Sequence, residues 1–139
     1  MRVKVLYDWE WVANQIETIG DKVGDKYQKI DYVTGIPRGG VIPAVMFSHK
    51  YDISYIELEE AKRFPREYRQ KIILFDDICD TGKTLKDIHL NHFITATLAY
   101  KTTAKYIPDF FSEVIKDDRW IVFPWENIKA KIIQEYLVK

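Results

Sequence analysis

Ile72-Ile73-Leu74-Phe75-Asp76-Asp77-Ile78-Cys79-Asp80-Thr81-Gly82-Lys83-Thr84 is the stretch from which the rest of this 139-residue chain can be read. Four consecutive apolar residues mark a strand covered on both faces, as in parallel sheets flanked by helices. The strand is predicted to stop at Asp76-Asp77, and a helix to start near Thr81–Thr84. The turn between them, Thr81-Gly82-Lys83-Thr84, combines hydroxyls, a flexible glycine and the unpaired amides of a helix start. Such a combination receives anions. Three carboxylates just ahead of it would nevertheless repel a bare phosphate. The conflict is resolved by a ligand that also brings hydroxyls, a bound divalent cation or a protonatable atom, and a phosphorylated sugar with Mg²⁺ meets all of these. Two other readings compete. Gly82-Lys83-Thr84 ends like a nucleotide-triphosphate loop, but that motif needs a glycine where Asp77 stands. Alternatively, Asp76 and Asp77 are a solvated strand end and Thr81 is a plain helix cap.

Outward from this stretch, strands and helices alternate. Val12, Ile16 and Ile19, with Trp9 one turn earlier, predict a helix over residues 8–19 with Gly20 as its stop. Residues 30–36 read as a buried strand that ends in the punctuation of Pro37-Arg38-Gly39-Gly40. A helix is expected over Val41–Lys50 and a second strand over Ile53–Leu58. Lys62–Lys71 holds five basic residues, one acid and a central proline, which predicts an exposed loop. Phe93–Tyr100 is another β-branched and aromatic core strand. Phe110–Ile115 and Trp120–Phe123 are shorter strands, and Glu126–Leu137 has the spacing of an amphipathic helix. The alternation predicts an α/β domain with a mainly parallel sheet, whose ligands bind beyond the carboxyl ends of the strands.

Composition narrows the function classes. The chain is 47% hydrophobic and 30% charged, which excludes a disordered protein. Its length predicts one domain. Lys plus Arg and Asp plus Glu both number 21, and this zero net charge disfavours nucleic acid as the main partner. The single cysteine, Cys79, excludes an internal disulfide and fits a reducing compartment. No apolar run approaches a membrane span, and the basic start at Met1-Arg2-Val3-Lys4 leads into no apolar stretch. The expectation is a soluble, cytoplasmic protein.

At the other marked strand end, Gly35-Ile36-Pro37-Arg38-Gly39-Gly40 is not a dinucleotide fingerprint, because Pro37 occupies the place of the second glycine. Gly39 and Gly40 let backbone approach an anion closely, and Arg38 adds a planar charged fork. A plain turn between strand and helix remains the alternative.

Together these residues resemble the type I phosphoribosyltransferase family, and Ile72–Thr84 resembles its phosphoribosyl-pyrophosphate (PRPP) signature. The resemblance covers nearly the whole chain, including the Tyr7-Asp8-Trp9 start. It implies one domain over 1–139, with a hood formed by the N-terminal segment and roughly residues 102–139. It further implies that Asp76 and Asp77 hold the ribose hydroxyls, or, through Asp77, the Mg²⁺ beside pyrophosphate. Thr81, Gly82, Lys83 and Thr84 would wrap the 5′-phosphate, while Arg38, Gly39 and Gly40 would form the pyrophosphate loop. In the family the peptide before the position of Arg38 is often cis. Aspartate at the place of Asp80 is typical of purine members, where it manages the proton at N7 of the base. Trp120-Ile121-Val122-Phe123-Pro124-Trp125-Glu126 resembles the hood of xanthine–guanine and hypoxanthine–guanine enzymes. Trp120 would stack on the purine, the backbone at Ile121 would read its pyrimidine edge, and Lys101 would donate to the 6-oxo group. Glu126 matches an acid that holds a second Mg²⁺ through water. For Trp120 and Trp125 the plainer alternative is core packing, and for Trp125 it is the reading adopted.

The expected function is Mg²⁺-dependent transfer of a phosphoribosyl group to a 6-oxopurine by a homodimer or larger homo-oligomer. The expected partners are small molecules, with no nucleic acid and no membrane. A non-catalytic nucleotide-binding regulator on the same fold and a pyrimidine phosphoribosyltransferase are the rivals. The chain departs from the family in its lid. The loop that covers the site would run from Glu59 to Gln70 without the usual Ser-Tyr pair, leaving Arg63, Arg66 and Arg69 to reach pyrophosphate. Thr102 also stands where the family usually has proline. His49, His89 and His92 match no family role.

Overall fold

The computed structural model describes residues 3–89 and 92–126. Its centre is a five-stranded sheet made of β2 (Tyr32–Gly35), β3 (Ser54–Tyr55), β4 (Ile72–Cys79), β5 (Ile94–Lys101) and β6 (Phe110–Ile115). The spatial order is β3-β2-β4-β5-β6 and every pairing is parallel. The chain leaves β2 toward one edge to form β3, then returns past β2 to form β4. The carboxyl ends of β2 and β4 therefore flank the topological switch point, where open α/β sheets bind their ligands.

One face of the sheet is covered by helices α1 (Trp9–Lys26) and α2 (Val41–Tyr51). Val12, Ile16, Ile19 and Val23 of α1 and Ala44 and Phe47 of α2 meet Val33, Ile73, Phe75, Ala96 and Leu98 in one cluster. Asp8 caps α1 by accepting the Trp11 amide at 2.8 Å. The helix does not stop at Gly20 but runs through it to Lys26. Gly20 is there because Tyr51 of α2 lies across it, and a Cβ would fall 2.0 Å from the Tyr51 hydroxyl oxygen. The glycine thus marks a close helix–helix crossing rather than a terminus.

The other face is covered by α3 (Leu58–Ala61), a 3₁₀ turn (Tyr68–Lys71) and α4 (Lys83–His89). Here the expected exposed loop is instead folded down. Phe64 stacks on Tyr68 with ring centroids 4.8 Å apart, and both rings meet Tyr32. Arg69 donates to the Phe64 and Lys62 carbonyls and lies over the Phe93 ring. Arg69 is therefore committed to holding this segment, while Arg63 and Arg66 stay exposed. The aromatic residues dispersed among the charges anchor the segment, and counting charges alone overlooked them. The expected strand over Ile53–Leu58 shrinks to two residues because α3 begins at Leu58.

β1 (Lys4–Leu6), which the sequence reading did not anticipate, pairs in parallel with β7 (Trp120–Val122) to form a separate two-stranded sheet. Ile121 and Phe123 bury their side chains in the same cluster as α1. Tyr7 stacks on Trp11 at 3.8 Å, and Phe123 stacks on Trp125 at 4.9 Å. Trp125 is packing material, as read from the sequence. After Glu126, the expected closing helix lies outside the described residues. Among those described, no helix is long and apolar enough to cross a membrane.

Phe47 is 1% exposed and touches both Tyr51 on its own helix and Phe75, so it joins α2 to the central strand. Phe47→Ala is expected to lower the unfolding free energy by about 3–5 kcal/mol, the usual cost of emptying a phenylalanine site in a core. The shift of the urea midpoint at unchanged slope measures it.

Candidate active site

The strand expected to end before the aspartates instead continues through them, since β4 carries Asp76, Asp77 and Ile78 to Cys79. Pairing with β5 explains the extension, because Asp76 lies opposite Thr97 and Cys79 opposite Tyr100. Asp77 is only 4% exposed. One oxygen of each carboxylate is occupied locally, with Asp76 Oδ1 accepting the Asp77 amide at 2.9 Å and Asp77 Oδ1 the Ile78 amide at 2.8 Å.

The loop after β2 lies directly against this strand end. The Ile36 amide donates to the Phe75 carbonyl at 2.9 Å, and the Gly40 amide closes the loop onto Ile36 O at 2.9 Å. The Pro37–Arg38 peptide is cis, as the resemblance implied. Arg38 is exposed at the tip. At Gly39 a Cβ would sit 2.2 Å from Asp77 Oδ2, and at Gly40 it would sit 2.3 Å from the Phe75 carbonyl oxygen. The two loops at the switch point therefore form one packed unit, with the Asp77 carboxylate seated on the Gly39 backbone.

Beyond β4, Thr81 Oγ1 accepts the Lys83 amide at 3.3 Å, and α4 begins at Lys83. Gly82 has φ of +84°, a left-handed conformation that glycine adopts without penalty. The opening amides of α4 have no carbonyl within the helix to meet them. Sequence reading missed what supports this turn. The Lys105 amide donates to Thr81 O at 3.0 Å, and the Cys79 thiol donates to the Tyr106 carbonyl at 3.3 Å. A Cβ on Gly82 would sit 2.7 Å from the Tyr106 nitrogen. Nothing in the local sequence around Tyr106 signals this, because the contact joins segments distant along the chain.

Asp80, at the end of the same run, meets Lys101 from the end of β5, with Nζ 3.5 Å from Oδ1. The lysine side chain is 5% exposed and the aspartate 36%. A buried ammonium needs such a partner, since an unpaired charge inside the protein is costly. Beside them runs the turn from β6 to β7. Arg119 binds Asp117 through two hydrogen bonds of 2.8 Å. These bonds hold the Asp117 carboxyl at about 2, with the Lys101 charge adding to the effect. The same turn delivers Trp120, half-buried, at the start of β7. The Trp120 amide donates to Val3 O and the Val122 carbonyl accepts from Tyr7. Both point toward β1, so the alternation of a strand aims the N–H and C=O of Ile121 at the opposite edge. Glu126 has a local task, its Oε1 accepting the Phe123 amide at 2.8 Å across the turn that follows β7.

Among the described residues, no three His, Cys, Asp or Glu side chains are gathered as a metal cluster. Mg²⁺ does not require one, because it keeps several waters and binds through one or two carboxylates plus substrate phosphates. The hard oxygens of Asp76 and Asp77 at the switch point fit that pattern.

Comparison with known proteins agrees with the geometry. No protein-family model matches the chain. The xanthine-guanine phosphoribosyltransferase of Cereibacter sphaeroides is 29% identical over 68% of each chain. That of Desulfotalea psychrophila is 28% identical over 86% of this chain and 84% of its own. Among solved structures, a purine phosphoribosyltransferase from Pyrococcus horikoshii superposes with a TM-score of 0.70 at 28% identity, covering 92% of this chain and 97% of that one. Sheet order, the paired loops and the acidic strand end together define a phosphoribosyltransferase fold. In sequence and in fold the chain is similar to these purine phosphoribosyltransferases, in keeping with the resemblance its motifs bear to the type I family.

Cys79 lies in the middle of the acidic run, and burial, reinforced by Asp76 and Asp80, pushes its thiol up to about 12. At pH 8 it holds roughly a thousandfold less thiolate than a free cysteine, and thiolate is the reactive form. A chromogenic disulfide reagent is therefore expected to leave the native protein unlabelled over hours at pH 8 and to label it within minutes in urea.

Proposed function

We propose that the chain transfers the 5-phosphoribosyl group of PRPP to N9 of a 6-oxopurine, releasing pyrophosphate and a nucleoside 5′-monophosphate in the cytoplasm. The observation that carries this reading is the Asp80–Lys101 pair. N7 and O6 of a 6-oxopurine lie side by side on one edge of the base. A carboxylate and an ammonium 3.5 Å apart match that edge, with Lys101 donating to O6 and Asp80 facing N7. Adenine would present an amino donor to the lysine, so the pair selects against it. Trp120 would offer a ring to stack on the base, and the open strand edge at Ile121 would read the pyrimidine side.

In the reaction the C1′–N9 bond forms as the bond from C1′ to pyrophosphate breaks, and positive charge develops on the ribose. Asp80 takes the N7 proton as N9 becomes substituted, acting as general base. Asp76 and Asp77 hold the ribose hydroxyls, and the turn from Thr81 to Thr84 receives the 5′-phosphate. Arg38, with the Gly39 and Gly40 backbone, orients the departing pyrophosphate. Asp77 would hold Mg²⁺ together with pyrophosphate, and Glu126 would reach a second ion through water. When bound, the metal neutralises charge on the leaving group. Catalysis in this scheme is positioning and charge stabilisation, with no covalent intermediate.

The test is pyrophosphate release from PRPP and Mg²⁺ with xanthine, guanine, hypoxanthine, adenine or uracil. Release is expected with 6-oxopurines only and is abolished by EDTA. Release with uracil alone would replace this reading with a pyrimidine one, and tight nucleotide binding without release would make the chain a regulator.

Two variants sharpen the assignment. Asp80→Asn is expected to lower turnover about 10²–10⁴-fold, the range of a general acid–base group, with PRPP binding retained. Gly39→Ala drives a Cβ into the Asp77 carboxylate. It is expected to raise the KM for PRPP about tenfold or more by displacing a positioning group, while the KM for purine changes little.

A further inference from the structure

We infer that Tyr106 is a positioning residue that sets the Thr81–Thr84 turn from behind. This rests on the reading of that turn as the receptor of the ester phosphate. β5 and β6 are parallel neighbours, yet the connection between them, residues 102–109, contains no helix. β5 ends at Lys101, whereas β6 starts opposite Ala96, so the connection must run back along the sheet. Without a helix to hold it away, its backbone lies against the turn. Ala104 and Tyr106 pack into the cluster containing Leu74, Cys79 and Leu85. Three contacts then converge on the turn and on the strand end that leads into it. Lys105 N bonds Thr81 O, the Cys79 thiol bonds Tyr106 O, and the Tyr106 backbone fills the space beside Gly82.

The Tyr106 side chain fixes this connection to the sheet. Its hydroxyl lies 2.7 Å from Thr95 Oγ1 on β5. Thr95 Oγ1 also accepts the Asp109 amide at 3.0 Å and donates to Asp109 Oδ2 at 3.2 Å. A threonine hydroxyl has one hydrogen, which goes to the carboxylate, so Tyr106 is the donor in its bond to Thr95. Asp109 Oδ2 also accepts the Thr95 amide at 2.9 Å, which closes the network. The register of residue 106, and with it the left-handed Gly82 packed against it, is set by a phenol bound to the interior strand β5. The same connection starts at Lys101, the proposed reader of the base, whereas the Tyr106 contacts described above lie at Gly82 and Cys79.

Calorimetric titration of guanosine 5′-monophosphate and of guanosine into wild type, Tyr106→Phe and Tyr106→Leu tests this. Tyr106→Phe keeps the ring and loses one neutral hydrogen bond, so the monophosphate is expected to bind about fivefold more weakly. Tyr106→Leu also loses the ring, and about tenfold or greater weakening is expected. Guanosine, which lacks the phosphate, is expected to keep its wild-type affinity in both. Should the leucine variant fail to fold, the phenylalanine variant decides alone. Equal weakening of both ligands, or an unchanged monophosphate affinity in a folded variant, overturns the role of Tyr106. A wild type that binds neither ligand overturns instead the functional reading beneath it.

Discussion

The Asp77 carboxylate resting on the backbone of Gly39 is the contact on which the rest of the site depends. It joins the loop after β2 to the end of β4, the two strands between which the sheet reverses its order. A side chain on residue 39 would separate them, and the glycine loop would no longer pack against the acidic strand end. The proposed chemistry requires that closeness. Carboxylates suited to hydroxyls and a hard cation must stand within one ligand's length of amides and an arginine suited to phosphates. Parallel pairing along β2 and β4 brings both loops to the same end of the sheet, and glycine lets them touch.

A second pairing sets the other half of the site. Asp80 and Lys101 come from the ends of adjacent strands, so sheet register determines their separation. The lysine is buried and the aspartate partly open. The aspartate is thus the more accessible member of the pair, and the lysine keeps a counter-charge inside the protein. The turn that follows β6 adds Asp117 and Arg119 next to the lysine and delivers Trp120 to the hood.

The segment from Leu58 to Lys71 separates this chain from the lidded pattern of the family it resembles. Its Phe64 and Tyr68 stack on each other and pack against Tyr32, and its Arg69 is tied to local carbonyls, so it serves as a cover for the sheet. The exposed Arg63 and Arg66 remain the basic side chains of this segment that could meet a ligand's charge. Support for the Thr81–Thr84 turn comes from the opposite direction, through the helix-free connection between β5 and β6.

Local chemistry was enough to read much of this protein. Continuous apolar runs identified β4 and β5, and the order of acids, glycine and threonines singled out the turn that joins β4 to α4. Asp80, Lys101 and the Arg38 loop could be singled out through a family resemblance that rests on short motifs. Other features depend on partners distant in the chain. Gly20 reads as a stop until Tyr51 is laid over it, and β4 runs on through its aspartates because β5 pairs with them there. β1 is three residues long and exists only because β7 supplies its hydrogen bonds. Tyr106 looks like any loop tyrosine until the crossover places it beneath Gly82. Residue type and spacing determine which groups are present and what they bind. Which of them meet is settled by sheet register and crossover path, because those contacts form only when strands remote in sequence pair.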